Sequence, residues 1–288
     1  MDINKSLQEL RGLLYEGPSP RTWAALCGWL ERWPDGDALD VALDYADAML
    51  AQWPDHERTV SAAWQRDIFA GRPQPRLRVA RHLTLAAQGG GDDAAQRLAL
   101  CPDLNHITRL DLSNNRIGPD GVAALTQSPH IQGLQALDLS LNDVGDKPLQ
   151  ALANNDAAAG LRTLDVLQAG VGPKGVEALA RSQTLGNLQA LNLWGNNAGP
   201  SVGAALAQSP YLKGLQALNL GRNRLGDAGA IAFIEADEPL ALHTLDLSHN
   251  GIGQAIVERL HATPHLQPPA CKLNTAGNGP APNFYHRG

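Results

Sequence analysis

Cysteine is scarce in this chain. Cys27, Cys101 and Cys271 stand far apart among 288 residues and form no CxxC pair, a set that argues against a disulfide framework and fits reduced thiols in a cytoplasmic protein. Long apolar runs are missing: nowhere do about 18 apolar residues follow one another, as a membrane helix requires. The opening MDINKSLQELRGLLYEG holds no apolar core of signal-peptide length. Strong charge of one sign is missing too. With 23 Lys and Arg against 29 Asp and Glu, the formal net charge of −6 argues against nucleic acid or an anionic membrane surface as the main partner. At 43% hydrophobic and 18% charged, the composition is that of a globular protein.

A convincing catalytic set is also lacking. GPSVG at 199–203 has the form GxSxG, but Ser201 falls where equivalent stretches carry Asp120, Lys147 and Lys174, so the match is read as chance. His261 and His265 have Pro264 between them, which spoils a shared helix face, and Cys271 is the only nearby thiol, so no metal is expected. GGGDD at 89–93 lacks the GK[ST] ending of a phosphate loop. No cofactor is implied.

What the sequence has is a repeat. The pattern LxxLxLxxNxxG starts at Ile107, Leu134, Leu161, Leu188, Leu215 and Leu242, every interval being 27 residues. Glycine recurs in frame at Gly118, Gly145, Gly172, Gly199, Gly226 and Gly253, and an apolar residue at Leu125, Leu152, Leu179, Leu206, Phe233 and Leu260. A worn unit precedes the six, with Leu83, Leu85 and Leu98 in matching places. Another follows at Leu273, Thr275 and Asn278, shifted by one residue. Worn ends are expected where a terminal unit turns one face to water.

These motifs resemble leucine-rich repeats, and GPDGVAAL and GPKGVEAL resemble the ribonuclease-inhibitor-like class, over about residues 80–278. The resemblance implies an α/β leucine-rich repeat solenoid. Residue chemistry supports the same fold. The LxLx stretch alternates with period two, as a strand does, and Gly118–Thr126 carries apolar residues at helical spacing. Neither element buries its apolar face alone, but stacked units do. Strands pack about 4.8 Å apart and helices about 8–10 Å apart, so the stack must curve with a parallel sheet on its concave side. About eight strands are expected, six of them at 109–113, 136–140, 163–167, 190–194, 217–221 and 244–248.

The ninth place of the frame holds Asn115, Asn142, Asn196, Asn223 and Asn250, but Ala169 in the third full unit. An asparagine here is expected to satisfy buried backbone groups of the turn. Ala169 is then a local weakness, and Ala169→Asn is expected to add about 1 kcal/mol if those groups are otherwise unpaired.

Residues 1–79 have another texture, with five of the six tryptophans. Four helices are expected: about 6–14, stopped by Gly17; 20–33; 37–53; and 55–69, stopped by Gly71. WPD tripeptides at 33–35 and 53–55 mark breaks between them. This region is either a cap over the open edge of the repeats or a separate partner-binding module. RPQPRLR at 72–78 joins it to the solenoid, and its shortness favours docking. The expected division is 1–79 and 80–288, the latter comprising a worn unit 80–106, full units 107–268 and a worn unit with tail 269–288.

Strand alternation places the third, fifth, seventh and eighth positions on the concave face or its rim. Asp111, Asp138 and Asp165 lie on adjacent strands, where like charges are unfavourable. Leu167 and Trp194 occupy the seventh place of neighbouring units, with Leu141 close by, where most others put Ser or Gly. An apolar pair on a rigid sheet has the composition of an interface centre; the alternative is packing beneath the N-terminal region or a tail.

The expectation is a non-enzymatic, cytoplasmic interaction scaffold, monomeric alone. It binds another protein through Trp194, Leu167, Leu141, Asp165, Arg222 and His249. Two alternatives rest on fold analogy: a regulator of a small GTPase, and a bacterial effector delivered into another cell. An enzyme seated in residues 1–79 is disfavoured, because that region lacks a His, Cys and carboxylate cluster.

Overall fold

A computed structural model describes residues 3–33, 36–69, 72 and 74–279. Pro34 and Asp35 of the first WPD, the expected stop at Gly71, and the tail from 280 onward lie outside the described residues.

Eight strands form one sheet in strict sequence order, every pair parallel. They are β1 (His82–Thr84), β2 (Arg109–Asp111), β3 (Ala136–Asp138), β4 (Thr163–Asp165), β5 (Ala190–Asn192), β6 (Ala217–Asn219), β7 (Thr244–Asp246) and β8 (Lys272–Asn274). Leu110 faces Leu137, which faces Leu164, and so on, so the 27-residue spacing is itself the register. The last step, Thr244 to Lys272, is 28 residues and accounts for the one-residue shift of the final unit. Each regular strand ends two residues before the expected end. There the fifth-place Asp or Asn folds back on its own chain: Asp111 Oδ1 accepts from the Ser113 amide at 3.0 Å, and Asp138 Oδ1 from that of Ser140 at 2.8 Å.

Seven helices close the outer wall: α5 (Gly91–Ala99), α6 (Pro119–Thr126), α7 (Asp146–Ala153), α8 (Pro173–Ala180), α9 (Ser201–Ala207), α10 (Gly226–Ile234) and α11 (Gln254–Ala262). Their apolar faces and the inward leucines of the sheet make one continuous core. Some of these helices approach so closely that only glycine fits: a Cβ on Gly203 would collide with the Gly229 carbonyl. Acidic residues stitch others together. Asp92 Oδ1 accepts from the Gly118 and Gly121 amides at 2.6 and 3.1 Å, and Asp146 Oδ1 from those of Gly172 and Gly175 at 2.8 and 2.9 Å. A serine ladder adds to this, with Ser128, Ser182 and Ser209 donating to the carbonyls of Ala99, Ala153 and Ala180 at 2.6 Å.

The asparagines act as expected. Asn142 Oδ1 accepts from the Asn115 and Ile117 amides of the preceding unit, both at 3.0 Å, while its Nδ2 donates to the Leu112 and Leu139 carbonyls at 2.9 and 3.1 Å. Adjacent asparagines share carbonyls, so Leu112 O receives one donor from Asn115 and one from Asn142. Where Ala169 interrupts the ladder, Leu139 O keeps Asn142 and Val166 O keeps Asn196. The Val144 and Gly145 amides turn to the Ala169 carbonyl at 3.0 and 3.1 Å. Among the described residues the backbone amide of Asn142 has no partner, yet neither has that of Asn196, although Asn223 stands opposite it. Units 134–160 and 188–214 share a shifted turn, with Asp143 N bonded to Ile117 O and Asn197 N to Val171 O. The turn, not the missing asparagine, leaves that amide free, which lowers the expected benefit of Ala169→Asn.

The N-terminal region contributes α1 (Ile3–Tyr15), α2 (Pro20–Glu31), α3 (Asp37–Leu50) and α4 (Ala62–Phe69). The expected helix over 55–69 is corrected. A 3-10 turn, Asp55–Glu57, leads into an extended stretch in which Thr59 bridges His82 and the Val60 amide donates to His82 O at 2.8 Å. This stretch covers the free edge of β1, and helix resumes only at Ala62. Arg58, 2% exposed, is anchored by Asp47 at 2.6 Å, Val79 O at 2.8 Å and Leu50 O at 3.2 Å. The five N-terminal tryptophans are all buried in the same continuous core as the repeats. Leu77 of the joining segment is fully buried, as is Val79 just beyond it.

Candidate functional site

The six sequence-selected residues separate into a floor and a rim. Asp165, on β4, lines a groove of about 630 Å³ along the concave face from β4 to β8. Ala190 and Ala217 form its low middle, flanked by Thr163, Thr244 and Lys272. Small third-place side chains make the groove, and Asn192, Asn219 and Asn274 run through it beside Asp165 and Asp246. Asn192 and Asn219 occupy concave places in the sequence frame but carry no apolar signal, and the one-residue shift of the last unit hid Lys272 and Asn274.

Electrostatics divide the fifth-place row. Asn192 Nδ2 donates to Asp165 Oδ2 at 2.9 Å, and Asn274 Nδ2 to Asp246 Oδ2 at 2.8 Å, so these two carboxylates gain amide partners. Asp138 has a carboxylate on either side. Burial, together with Asp165 and Asp111, pushes its carboxyl above the usual range against the pull of the Ser140 hydroxyl and amide.

The other five residues form the rim where strands pass into turns. Turn-to-turn bonds align them: the Leu141 amide donates to Leu167 O, Gln168 to Trp194 O and Gly195 to Gly221 O, each at 2.8 Å. At the eighth place the backbone is left-handed, with φ of 57° at Leu141, 52° at Arg222 and 54° at His249. Such residues are rarely left-handed; here the bonds on either side hold the turn.

Trp194 is half-buried, and the N-terminal region meets the sheet at β1, four strands away, through the stretch in which Thr59 bridges His82. Its indole lies over Gly221, where a Cβ would approach Cδ1 at 2.5 Å. The Arg222 guanidinium stacks on the ring, 5.1 Å from its centroid. Leu167 is half-buried on the preceding unit and Leu141 is 45% exposed. His249 lies over Gly277 one unit beyond Arg222. The rim thus carries an apolar ledge, Leu141 to Trp194, that passes into a basic end, Arg222 to His249. The Gly221–Trp194 fit was not readable beforehand, because it depends on the indole crossing to the next unit.

Nucleophilic chemistry finds little support in the thiols. Burial, with Glu31 nearby, pushes the Cys27 thiol up to about 12, and burial raises Cys101 and Cys271 as well. Among the described residues, no helix is long and apolar enough to cross a membrane.

Residues 103–125, 130–153, 214–233 and 242–260 match a family model described as Leucine Rich repeat. No curated protein matches the sequence. Similar solved structures include internalin C2 from Listeria monocytogenes, 20% identical over 80% of this chain and 89% of that one, with a TM-score of 0.49. The tropomodulin C-terminal domain of Caenorhabditis elegans is 15% identical over 50% of this chain and 89% of that one, at a TM-score of 0.35. The ectodomain of the Arabidopsis receptor kinase HAESA, solved with an N-terminal extended IDA peptide hormone ligand, is 17% identical over 54% of this chain and 24% of that one, at 0.32.

Proposed function

The chain is a leucine-rich repeat protein, and from that premise we propose that it is an interaction scaffold whose concave rim binds another protein. The partner docks over Trp194 and Leu167, with Leu141 beside them, Asp165 on the floor below, and Arg222 and His249 at the basic end. The observation that carries the reading is the Trp194 indole, spread over Gly221 and stacked by Arg222 while still half-exposed. A large, rigid, partly desolvated aromatic of this kind anchors interfaces at low ordering cost. The sheet beneath it is fixed by the asparagine ladder before any partner arrives.

Affinity purification with wild-type and Trp194→Ala baits, read by quantitative mass spectrometry, supplies the partner, and calorimetry then tests the contact. Trp194→Ala should weaken binding by at least about 2 kcal/mol, roughly thirtyfold, as hot-spot truncations do. Its melting temperature should stay within a few degrees of wild type, because the indole lies outside the core. Ser140→Ala, on the same rim, should bind as wild type. Normal binding by Trp194→Ala would remove the rim as the site.

A further inference from the structure

A second hollow, of about 380 Å³, lies at the strand-entry edge of the concave face, where the N-terminal region meets the first repeats. Arg109 on β2 and Arg162, one residue before β4, both line it, with the amide side chains of Gln135 and Gln189 between and beside them. His56 and His82 close the N-terminal side.

Its two arginines differ from those of the adjoining junction in their partners. The arginines of the adjoining junction have carboxylate partners: Arg58 and Arg81 on Asp47, Arg78 on Asp40 and Asp44, Arg72 on Asp67. Among the described residues neither Arg109 nor Arg162 has one, although both are exposed. Asp55 is the single carboxylate in the lining, and its Oδ2 is engaged by the Thr108 hydroxyl at 3.0 Å.

We propose that this hollow is an oxyanion-binding site for a ligand carrying carboxylate or phosphate groups. Arg109 and Arg162 are its principal contacts, and Gln135 and Gln189 are supplementary donors. Guanidinium forks match the geometry of both oxyanions. β2 and β4 are two strand spacings apart, about 10 Å, so the site suits two linked anionic groups better than one. The acidic row of Asp111, Asp138 and Asp165 begins a few residues further along the strands and repels the same ligand from the groove, confining it to this edge.

His82 is a built-in reporter. Burial lowers its pKa first, then Arg109, with a smaller contribution from His56, while Asp55 opposes them. An anion seated among these groups favours the imidazolium and must raise that pKa.

The test follows the His82 ring by NMR in the full chain at fixed ionic strength, titrating pyrophosphate in one arm and tetraglutamate in the other, with sodium chloride as control. A specific upward shift of about half a unit or more in either arm supports the site. Arg109→Gln with Arg162→Gln should weaken that binding about tenfold at unchanged melting temperature, since both side chains are exposed and unpaired. A response to pyrophosphate alone indicates a phosphate ligand; a response to tetraglutamate alone indicates an acidic peptide. The proposal is overturned if neither ligand shifts His82 beyond the chloride control, or if the double variant binds as tightly as wild type.

Discussion

Two regions of the same turn obey different rules. The ninth place of each repeat points into the wall, and five of six full units fill it with asparagine whose amide bonds the unit before it and its own. The seventh and eighth places, two residues and one residue earlier, form the rim. There Ser140, Leu167, Trp194 and Gly221 follow one another, and Leu141, Gln168, Gly195 and Arg222 share little beyond a positive φ. Inside, the repeated backbone sets the side chain. On the rim it sets only the direction, leaving the chemistry free for a partner.

The wall should be the more fragile region. Asn115→Ala should have the largest effect, about 3 kcal/mol by chemical denaturation. It removes the Nδ2 donor to Leu85 O and the acceptor for the Gln88 and Gly89 amides, and the worn unit has no earlier asparagine to share the work. A loss below about 1 kcal/mol would erase the distinction between wall and rim. Gly203→Ala should follow at about 2 kcal/mol, since its Cβ meets backbone that cannot move aside; a wild-type midpoint would show that the helices separate freely.

Asp138→Asn should stabilise the protein, by about 0.5 kcal/mol at pH 7. It keeps the bond from the Ser140 amide and imitates Asn192, whose amide already serves a neighbouring carboxylate. Because the folded-state pKa of Asp138 is raised, the ionised fold is penalised above it. The advantage of the variant should be full at neutral pH and shrink as pH falls through that raised value towards the ordinary carboxylate range. A pH-independent difference would assign the effect to packing.

Ala169→Asn should have the smallest effect, within about 0.5 kcal/mol of zero. Leu139 O and Val166 O already have donors, and the shifted turn leaves the Asn142 amide free whichever residue stands at 169. A gain of 1 kcal/mol or more would show that the turn relaxes once an asparagine is offered.

Much of the fold was legible because one interval governs it. A spacing of 27 residues gives strand order, parallel direction and register together, and glycine, leucine and asparagine in frame say which side faces in. The stretch 58–60 was harder to read: its strand-like bridge exists only because β1 needs an edge partner, a demand from distant residues. The turn at Asp143 and Asn197 was equally hidden, since nothing in those two residues forbids the other form. At the site, Leu167 and Trp194 showed themselves by breaking the frame. Arg109 and Arg162 did not, because their meaning lies in the absence of a carboxylate opposite, which depends on packing in three dimensions.

In-register pairing has a last consequence, for measurement. Each unit advances the arc by one strand spacing, about 4.8 Å, so four steps, about 19 Å, separate β1 and the N-terminal stretch bridged to it from β5 and Trp194. A molecule that touches both must span that interval. Removing or adding a whole unit between them would change it by one graduation and leave the surfaces at either end as they were. The solenoid is a ruler whose marks are cut by the backbone, and the gap between its binding features comes only in whole divisions.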